Sequence, residues 1–390
     1  MFYSLLLILL STIGQSTLVM YLPAFSEIGT SLNLQPSQVS QSVTLFMLAF
    51  AFGQFILGGL SDTFRPKSVL YTSFAIYIVG IALVLFSSNP TYFFLARILQ
   101  GLASGGILAT SRGMVNRSYH GQKLVSMLTI TTIAASVSGA ASPVIGGFIV
   151  HYGSWLYIFA FLGVYSVLLF LATLLMPSPN YQNSHSLPMS WAQRKLHLIT
   201  NTTFTFPALS ASFVFAISVA YYTVAPYIFQ TMLGMSAAHF GLLSLATSGS
   251  YILSAFVNIV GIGREKTRMI CGYVCILVGA VAILGMASLN TIHITYLLVA
   301  LMLIMFGMGL TFTLNMSSAV KGFKHVAGSA GALMGVFQIG IGTIGSYFIS
   351  YFVGPNAVLV FAYFTLTFCF ISVFFSCCKN KTTVCSAQAI

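Results

Sequence analysis

Long apolar runs separated by short polar gaps cover nearly the whole chain of 390 residues. Each run holds about 20 residues, which is the length that an α-helix needs to cross a bilayer. Strands of a membrane β-barrel alternate over about 10 residues, so these runs favour helices. The pattern predicts twelve membrane-spanning helices, at residues 2–24, 41–61, 68–87, 91–114, 124–150, 154–176, 204–232, 236–261, 268–288, 292–317, 326–352 and 355–377.

The longest polar stretch lies between the sixth and the seventh apolar run. It indicates an all-α integral membrane protein whose twelve transmembrane helices form two six-helix bundles. We predict an N-terminal bundle at 1–176, a cytoplasmic linker at 177–203, a C-terminal bundle at 204–377 and a cytoplasmic tail at 378–390.

The composition excludes a water-soluble globular protein, because 58% of the residues are hydrophobic and only 5% are charged. Soluble domains are roughly 25% charged. The chain has 15 Lys and Arg but only three acids, which are Glu27, Asp62 and Glu265. Most of the basic residues lie between apolar runs, which indicates membrane topology rather than nucleic-acid binding. With both termini in the cytoplasm, the outer loops carry no Lys or Arg, as the positive-inside rule expects.

The six cysteines have neither the spacing of an extracellular disulfide framework nor that of zinc ligands. A membrane-embedded enzyme would need paired acids, a metal cluster or a nucleophile with a base inside the spans, and the sequence offers none of these. We therefore predict no cofactor, no metal site and no enzymatic activity. The expected partners are a small-molecule substrate and the lipid bilayer.

Arg97 lies inside the fourth run, and Gln100 follows one turn later on the same helix face. A guanidinium that keeps its proton is costly in lipid unless it is paired or hydrated. We expect these two side chains to face an aqueous cavity, where they could hold an anionic or carbonyl group of a substrate. The alternative is a structural arginine that donates to carbonyls of a neighbouring helix.

The first run carries a polar stripe of Ser11, Thr12 and Gln15, and Val19 continues the same face. Because a lipid-facing surface is apolar, we expect this stripe to line the cavity. Further polar or amphipathic side chains inside the spans are candidates either for substrate contact or for packing and interhelical hydrogen bonds. They are Tyr21, Gln54, Tyr221, Tyr222, Gln230, Asn258, Asn315 and Gln338.

The segment GGLSDTFRPKSVL (58–70) resembles the signature loop of the major facilitator superfamily. Other segments are similar to the Bcr/CflA drug-exporter branch of that superfamily: YLPA (21–24), ARILQG (96–101), TSRGMV (110–115), ASPVIGG (141–147) and AGSAGALMGVFQ (327–338). The resemblance implies the major facilitator fold, a central cavity at mid-membrane and alternating access by rocking of the two bundles. It also implies a monomer.

The resemblance further implies a gate. Asp62 would latch the two bundles in the outward-open state, with Arg117 or Arg112 as its basic partner, and Arg65 belongs to the same loop. A solvated loop acid and an interfacial anchor are the alternatives for Asp62 and Arg112. Small residues and a helix kink in the fifth run complete the gating set, which there comprises Gly139, Pro143, Gly146 and Gly147.

Two positions depart from the pattern of this branch. Arg65, Pro66 and Lys67 stand where the branch usually has Gly-Arg-Arg, so the basic end of the loop is rearranged. Val19 stands where the branch usually has an aspartate, so the proton-carrying carboxylate expected there is missing.

These features favour a secondary active transporter that exports a small molecule across a bacterial inner membrane. A cavity with fixed positive charge and no acid suits an anion, whose outward movement gains about 2.3 kcal/mol per 100 mV of membrane potential. We hypothesise export of a drug-like molecule or of a neutral or polycarboxylate metabolite, for instance a siderophore-like one. Uptake of a small anionic or neutral nutrient is the alternative within transporters, and a non-transporting membrane sensor is the alternative outside them.

Overall fold

The computed structural model describes residues 2–86, 89–119, 121–176, 198–289, 291–321, 323 and 327–387. Within these ranges it leaves out the side chains of 62–63, 121–122, 125, 129, 327–329, 332 and 379–387. Most of the predicted linker, residues 177–197, lies outside the described residues. The described residues form helices and turns with no strand, which confirms the all-α class.

Twelve helices in the described part of the chain are long and apolar enough to cross a membrane, as predicted. We label them α1 (Phe2–Val19), α2 (Pro36–Thr63), α3 (Pro66–Leu85), α4 (Pro90–Ser118), α5 (Gly121–Tyr152), α6 (Leu156–Leu175), α7 (Thr202–Pro226), α8 (Ala237–Val260), α9 (Glu265–Ser288), α10 (Ile294–Lys321), α11 (Ala327–Ser350) and α12 (Ala357–Ala387). Proline opens α2, α3 and α4, where its missing N–H costs nothing because the first turn has no partner for that group.

The first span is longer than predicted and is broken near its end. A 3₁₀ turn at Leu22–Ala24 joins α1 to a short helix at Phe25–Ser31, and the apolar segment runs to Ser31 rather than to residue 24. Glu27, which follows the predicted span at 2–24, therefore lies on a helix. Its Oε1 accepts the backbone N–H of Trp155, which directly precedes α6, at 3.2 Å. A carboxylate at a helix N-terminus is stabilising, so Glu27 caps α6.

Contacts divide the chain into two compact units. The first comprises Met1–His185 and Pro226–Leu245, and the second comprises Ser186–Ala225 and Ala246–Ile390. Helices α1 to α6 thus belong to the first unit, together with a π-helix at Tyr227–Met232 and the beginning of α8. The second unit holds α7, the rest of α8 and α9 to α12. The predicted bundle boundaries stay predictions.

Basic side chains close the C-terminal ends of several helices. Arg117 Nη1 donates to the carbonyl of Ser61 near the end of α2, at 3.0 Å, and Lys67 donates to the carbonyl of the residue that follows α6. In the second unit Arg268 Nη1 donates to the carbonyl of Asn258, near the end of α8, at 3.0 Å. The last carbonyls of a helix lack partners and carry partial negative charge, so these cations stabilise them.

Candidate functional site

Arg97 has no exposed surface. Its Nη1 donates to Gln100 Oε1 at 2.7 Å and to the carbonyl of Thr17 at 3.3 Å. The guanidinium lies over the rings of Tyr21 and Phe46, at 4.0 and 4.5 Å from their centres. Its Nε and Nη2 make no hydrogen bond with the described residues. In this structure Arg97 and Gln100 are buried, and Arg97 donates to a carbonyl of a neighbouring helix, as in the structural alternative. Their role in substrate binding stays a prediction.

The position of Thr17 explains this arrangement. Helix α1 ends two residues after Thr17, so the Thr17 carbonyl is among the last ones of the helix, and the guanidinium of Arg97 supplies a donor for it. Gln100 is also fully buried, and its Nε2 reaches the carbonyl of Gly80 at 3.5 Å. The Arg97 cluster, which we define as Arg97, Gln100, Tyr21 and Phe46, thus ties α4 to α1, α2 and α3.

The polar stripe of α1 divides between the core and a cavity. Val19 and Tyr21 are fully buried, and Tyr21 shares a hydrogen bond of 2.8 Å with Ser42. Val19 therefore does not line a cavity in this structure, contrary to expectation, and Tyr21 belongs to the core. Ser11 and Gln15, by contrast, both reach a cavity in the first unit.

This cavity has a volume of about 60 Å³ and contains the exposed side chain of Arg112. We call it the Arg112 cavity; its other lining residues are Ser11, Gly14, Gln15, Phe50, Leu108, Thr131, Thr132 and Ala135. Neither Arg112 nor Gln15 makes a hydrogen bond or ion pair with a described residue. Six residues separate Arg112 from the end of α4, which is about 9 Å along the axis. The hydroxyl and amide groups that line the cavity give the guanidinium a polar environment.

The hydroxyl groups of the Arg112 cavity donate their protons to protein carbonyls. Ser11 Oγ donates to the carbonyl of Thr131 at 3.0 Å. Thr131 Oγ1 and Thr132 Oγ1 donate to the carbonyl of Leu128 at 2.9 and 2.8 Å. Their oxygens therefore present lone pairs to a ligand, whereas the donors left for it are the Arg112 guanidinium and the Gln15 amide.

The ring of Phe50 forms an apolar wall of the Arg112 cavity. A Cβ atom on Gly14 would lie 2.9 Å from Phe50 Cε2, and one on Gly105 would lie 2.2 Å from the Phe50 carbonyl oxygen. Side chains at these two positions would collide with Phe50, so both glycines are needed for Phe50 to pack here. Phe50 stacks on Phe46 with ring centres 6.0 Å apart and 23° between the planes. Because Phe46 also packs on Arg97, the Arg97 cluster supports this wall.

The predicted gating residues of α5 differ in how tightly they pack. A Cβ atom on Gly146 would lie 1.8 Å from the carbonyl oxygen of Met20, at the end of α1. A Cβ atom on Gly139 would meet only Gln15, at 3.8 Å, which is ordinary contact. Glycine is thus required at Gly146 for the helices to touch and is not required at Gly139.

The other two predicted gating residues of α5 contact the first turns of α8 within the first unit. A Cβ atom on Gly147 would lie 2.6 Å from the carbonyl oxygen of Ala237. A Cβ atom on Gly241 would lie at the same distance from the carbonyl oxygen of Pro143. The two backbones therefore meet directly, as small residues allow in membrane helices.

Gln230, in the π-helix, adds hydrogen bonds within the first unit. Its Nε2 donates to the carbonyl of Leu22 at 3.0 Å, and its Oε1 accepts the backbone N–H of Ser26 at 3.5 Å. Both partners lie where α1 is broken. The side chain joins two irregular backbone segments, so it is interhelical in this structure rather than open to a ligand.

The remaining predicted gating residues surround the end of α2. Asp62 lies in the last turn of α2, but its side chain lies outside the described residues, so the predicted latch stays a prediction. Arg65 is exposed and directly precedes α3. Arg117 contacts the backbone next to Asp62, through the carbonyl of Ser61.

The other substrate candidates are not among the residues that line the Arg112 cavity. Gln54 is half-buried on α2. In the second unit, Tyr221 is 5% exposed and lies 3.3 Å from Thr247 Oγ1. Gln338 is half-buried, and its Nε2 makes no hydrogen bond with the described residues. Their roles in substrate binding stay predictions.

The sequence model described as Major Facilitator Superfamily matches residues 5–346. The chain belongs to this superfamily. It is therefore a multi-pass membrane transporter and not an enzyme, and the resemblance predicted from the motifs is confirmed. The uncharacterized MFS-type transporter YdgK of Bacillus subtilis (strain 168) is similar to it, with 27% identity over 349 residues, covering 87% of this chain and 86% of that protein.

A second protein similar to this superfamily member is named for drug resistance. Multidrug resistance protein D of Escherichia coli (strain K12) is 25% identical over 354 residues, covering 88% of this chain and 87% of that protein. Among solved structures, a bacterial homologue of the human lysosomal transporter Spinster, in an inward-facing and occupied conformation, is similar with a TM-score of 0.75. That likeness covers 96% of each chain at 13% identity and supports the fold alone.

Proposed function

We propose that this superfamily member exports a small organic anion across the bacterial inner membrane by alternating access, as a monomer with both termini in the cytoplasm. The observation that carries the proposal is the Arg112 cavity. It holds one exposed guanidinium and one amide, both without a described partner, and no acidic side chain among its described lining residues. Substrate binding thus moves from the predicted pair of Arg97 and Gln100 to Arg112 and Gln15.

The distribution of acids also supports an anionic substrate. The sequence has only three acids, and Glu27 caps α6 through Trp155. Asp62 lies in the last turn of α2, and Glu265 is the first residue of α9. Val19 replaces the aspartate usual in the drug-exporter branch, so α1 lacks the carboxylate that would attract a cation or carry a proton there. An anion can leave a cell whose interior is negative, gaining about 2.3 kcal/mol per 100 mV.

The outward direction is supported by similarity to Multidrug resistance protein D, whose name implies resistance to drugs. Drug-like molecules with an acidic group fall within the proposed substrate class. We further propose that Asp62 and Arg117 belong to an inner gate, and that the contacts of Gly147 and Pro143 with α8 separate when the transporter opens outward.

The proposal is tested by comparing small molecules in cells and medium, with the gene deleted, restored, restored as Arg112→Gln and restored as Arg264→Gln. Arg264 is an exposed arginine directly before α9 and serves as the matched control. We expect an anionic metabolite to accumulate in the deletion strain and to be cleared by the original chain and the Arg264 variant, but not by the Arg112 variant. If instead the deletion strain removes a nutrient from the medium more slowly, the protein takes up its substrate and the proposed outward direction of transport is wrong.

The driving force is tested in proteoliposomes that contain the purified protein and the metabolite found in this way. We expect efflux to follow the membrane potential and to stop when a potassium ionophore collapses it. Efflux that follows a pH gradient and persists without a potential would refute transport driven by the charge of the anion.

A further inference from the structure

We infer that the anion held by the Arg112 cavity is a monocarboxylate of the size of formate, and that larger acids and dianions bind less tightly in this conformation. The inference rests on the proposed function and narrows its substrate class. It follows from three properties of the cavity: its volume, its polar and charged lining, and the packing of Phe50, which forms its aromatic wall.

The volume of the Arg112 cavity limits the size of the ligand. The cavity measures about 60 Å³. In another protein a cavity of about 150 Å³ holds benzene, a molecule of six heavy atoms. On this scale the Arg112 cavity has room for roughly two or three heavy atoms, which is the size of one carboxylate group. Formate fills this space, whereas each further carbon of a longer acid must displace a lining residue.

The charge of the ligand follows from Arg112. Among the described residues that line the cavity, Arg112 alone is charged, and it makes no hydrogen bond or ion pair with a described residue. A planar guanidinium matches the two oxygens of one carboxylate through two parallel hydrogen bonds. A second carboxylate on the same ligand would have to leave water without a cation to replace its hydration. The cavity therefore favours a monoanion.

The uncharged polar groups of the cavity also suit a single anionic group. The Gln15 amide makes no hydrogen bond with a described residue, so it supplies a further donor beside Arg112. Ser11 and Thr131 donate their hydroxyl protons to backbone carbonyls, at 3.0 and 2.9 Å, so their oxygens are left as acceptors. Acceptor oxygens repel an additional negative charge. These groups thus disfavour a dianion.

The packing of Phe50 fixes the size limit. A Cβ atom on Gly14 would lie 2.9 Å from Phe50 Cε2, so the ring packs directly against α1. A Cβ atom on Gly105 would lie 2.2 Å from the Phe50 carbonyl oxygen, so the backbone of Phe50 packs directly against α4. Phe50 cannot move in either direction unless the helices separate. The wall therefore does not retreat to admit a larger ligand in this conformation.

The test measures how ligands raise the melting temperature of the purified full-length protein in lipid nanodiscs at pH 8. A ligand that binds the folded state raises its stability, so a titration gives an apparent dissociation constant. The ligands are formate, its neutral counterpart formamide, the longer acid butyrate, the dianion oxalate and the spherical anion chloride, at an ionic strength held constant with gluconate.

We expect formate to bind at least about tenfold more tightly than each of the other four ligands. Equal binding of butyrate would overturn the size limit, and equal binding of oxalate or formamide would overturn the requirement for one charge. Equal binding of chloride would overturn recognition of a carboxylate. These measurements use the unmodified protein, so they do not depend on any variant folding.

Two variants and a control assign the binding to the cavity. Arg112→Gln should abolish the effect of formate, and the control Arg264→Gln should keep it. Phe50→Ala removes the aromatic wall, so it should tighten butyrate binding about tenfold while changing formate binding less than about threefold. Unchanged formate binding in Arg112→Gln, or unchanged butyrate binding in Phe50→Ala, would contradict the assignment.

Transport of the same ligands from proteoliposomes separates this inference from the proposed function. If butyrate or oxalate leaves as fast as formate, the inferred substrate class is wrong and anion export stands. If no anion leaves while a neutral or cationic compound does, anion export itself is wrong.

Discussion

A substitution at Gly146 tests the packing of α1 against α5. A Cβ atom there would lie 1.8 Å from the carbonyl oxygen of Met20, whereas real Cβ atoms essentially never approach another heavy atom closer than 3.0 Å. Gly146→Ala therefore requires α1 and α5 to separate locally by about 1.2 Å. Overpacking of this kind costs about 1–3 kcal/mol and more when backbone must move.

Gly139→Ala is the matched control, because it lies on the same helix and its Cβ atom would make only ordinary contact with Gln15, at 3.8 Å. Both variants gain the same helix propensity from alanine, roughly 1 kcal/mol, so their difference isolates the steric cost. We expect Gly146→Ala to show a clearly lower melting temperature than Gly139→Ala in detergent, followed by size-exclusion chromatography after heating. Equal melting temperatures would refute the packing argument. Equal stability combined with lost transport would assign Gly146 to gating rather than to packing.

Three further predictions concern residues that lie outside the Arg112 cavity. Arg97→Met removes charge-assisted hydrogen bonds, each worth roughly 1.5–3 kcal/mol, so the melting temperature in detergent should fall; an unchanged value would contradict a structural role. Gln230→Leu should loosen the broken segment of α1, seen as faster labelling of a cysteine introduced at Ser26 by an impermeant maleimide, and an unchanged rate would refute the link. Glu27→Gln should cost about 0.3–1 kcal/mol of stability at the start of α6 and leave transport intact; a stable variant that no longer transports would indicate a proton-carrying role for Glu27.

The hydrophobic pattern was sufficient to predict the twelve spans, because a bilayer demands about 20 apolar residues for each crossing and admits few alternatives. The break in the first span was not predicted. Pro23 marks the turn, but the sequence alone does not tell whether the chain leaves the membrane after it or resumes as a helix. The contact of Glu27 with Trp155 belongs to the resumed helix and depends on where α6 begins.

The sequence also could not identify the cavity wall. Phe46 and Phe50 are two of the 34 phenylalanines of the chain, and such rings face lipid, core or cavity with no difference in local pattern. Thr131 and Thr132 likewise carry no signal that separates a cavity lining from interhelical packing. The position of Phe50 depends on the tertiary structure, in which α4 packs against its backbone at Gly105 and α1 packs against its ring at Gly14.

The sequence by itself determined the class of this protein: an all-α membrane transporter of the major facilitator type, with few acids and most of its charges between the spans. Tertiary structure alone decided which of two arginines is exposed. Arg97 and Arg112 lie on one helix, and fifteen residues at 100° each put them only about 60° apart around its axis. The helical periodicity of α4 therefore places both side chains on nearly the same face and does not distinguish them. They differ because aromatic rings and the end of α1 cover Arg97, whereas Arg112 is exposed in a small cavity among polar side chains.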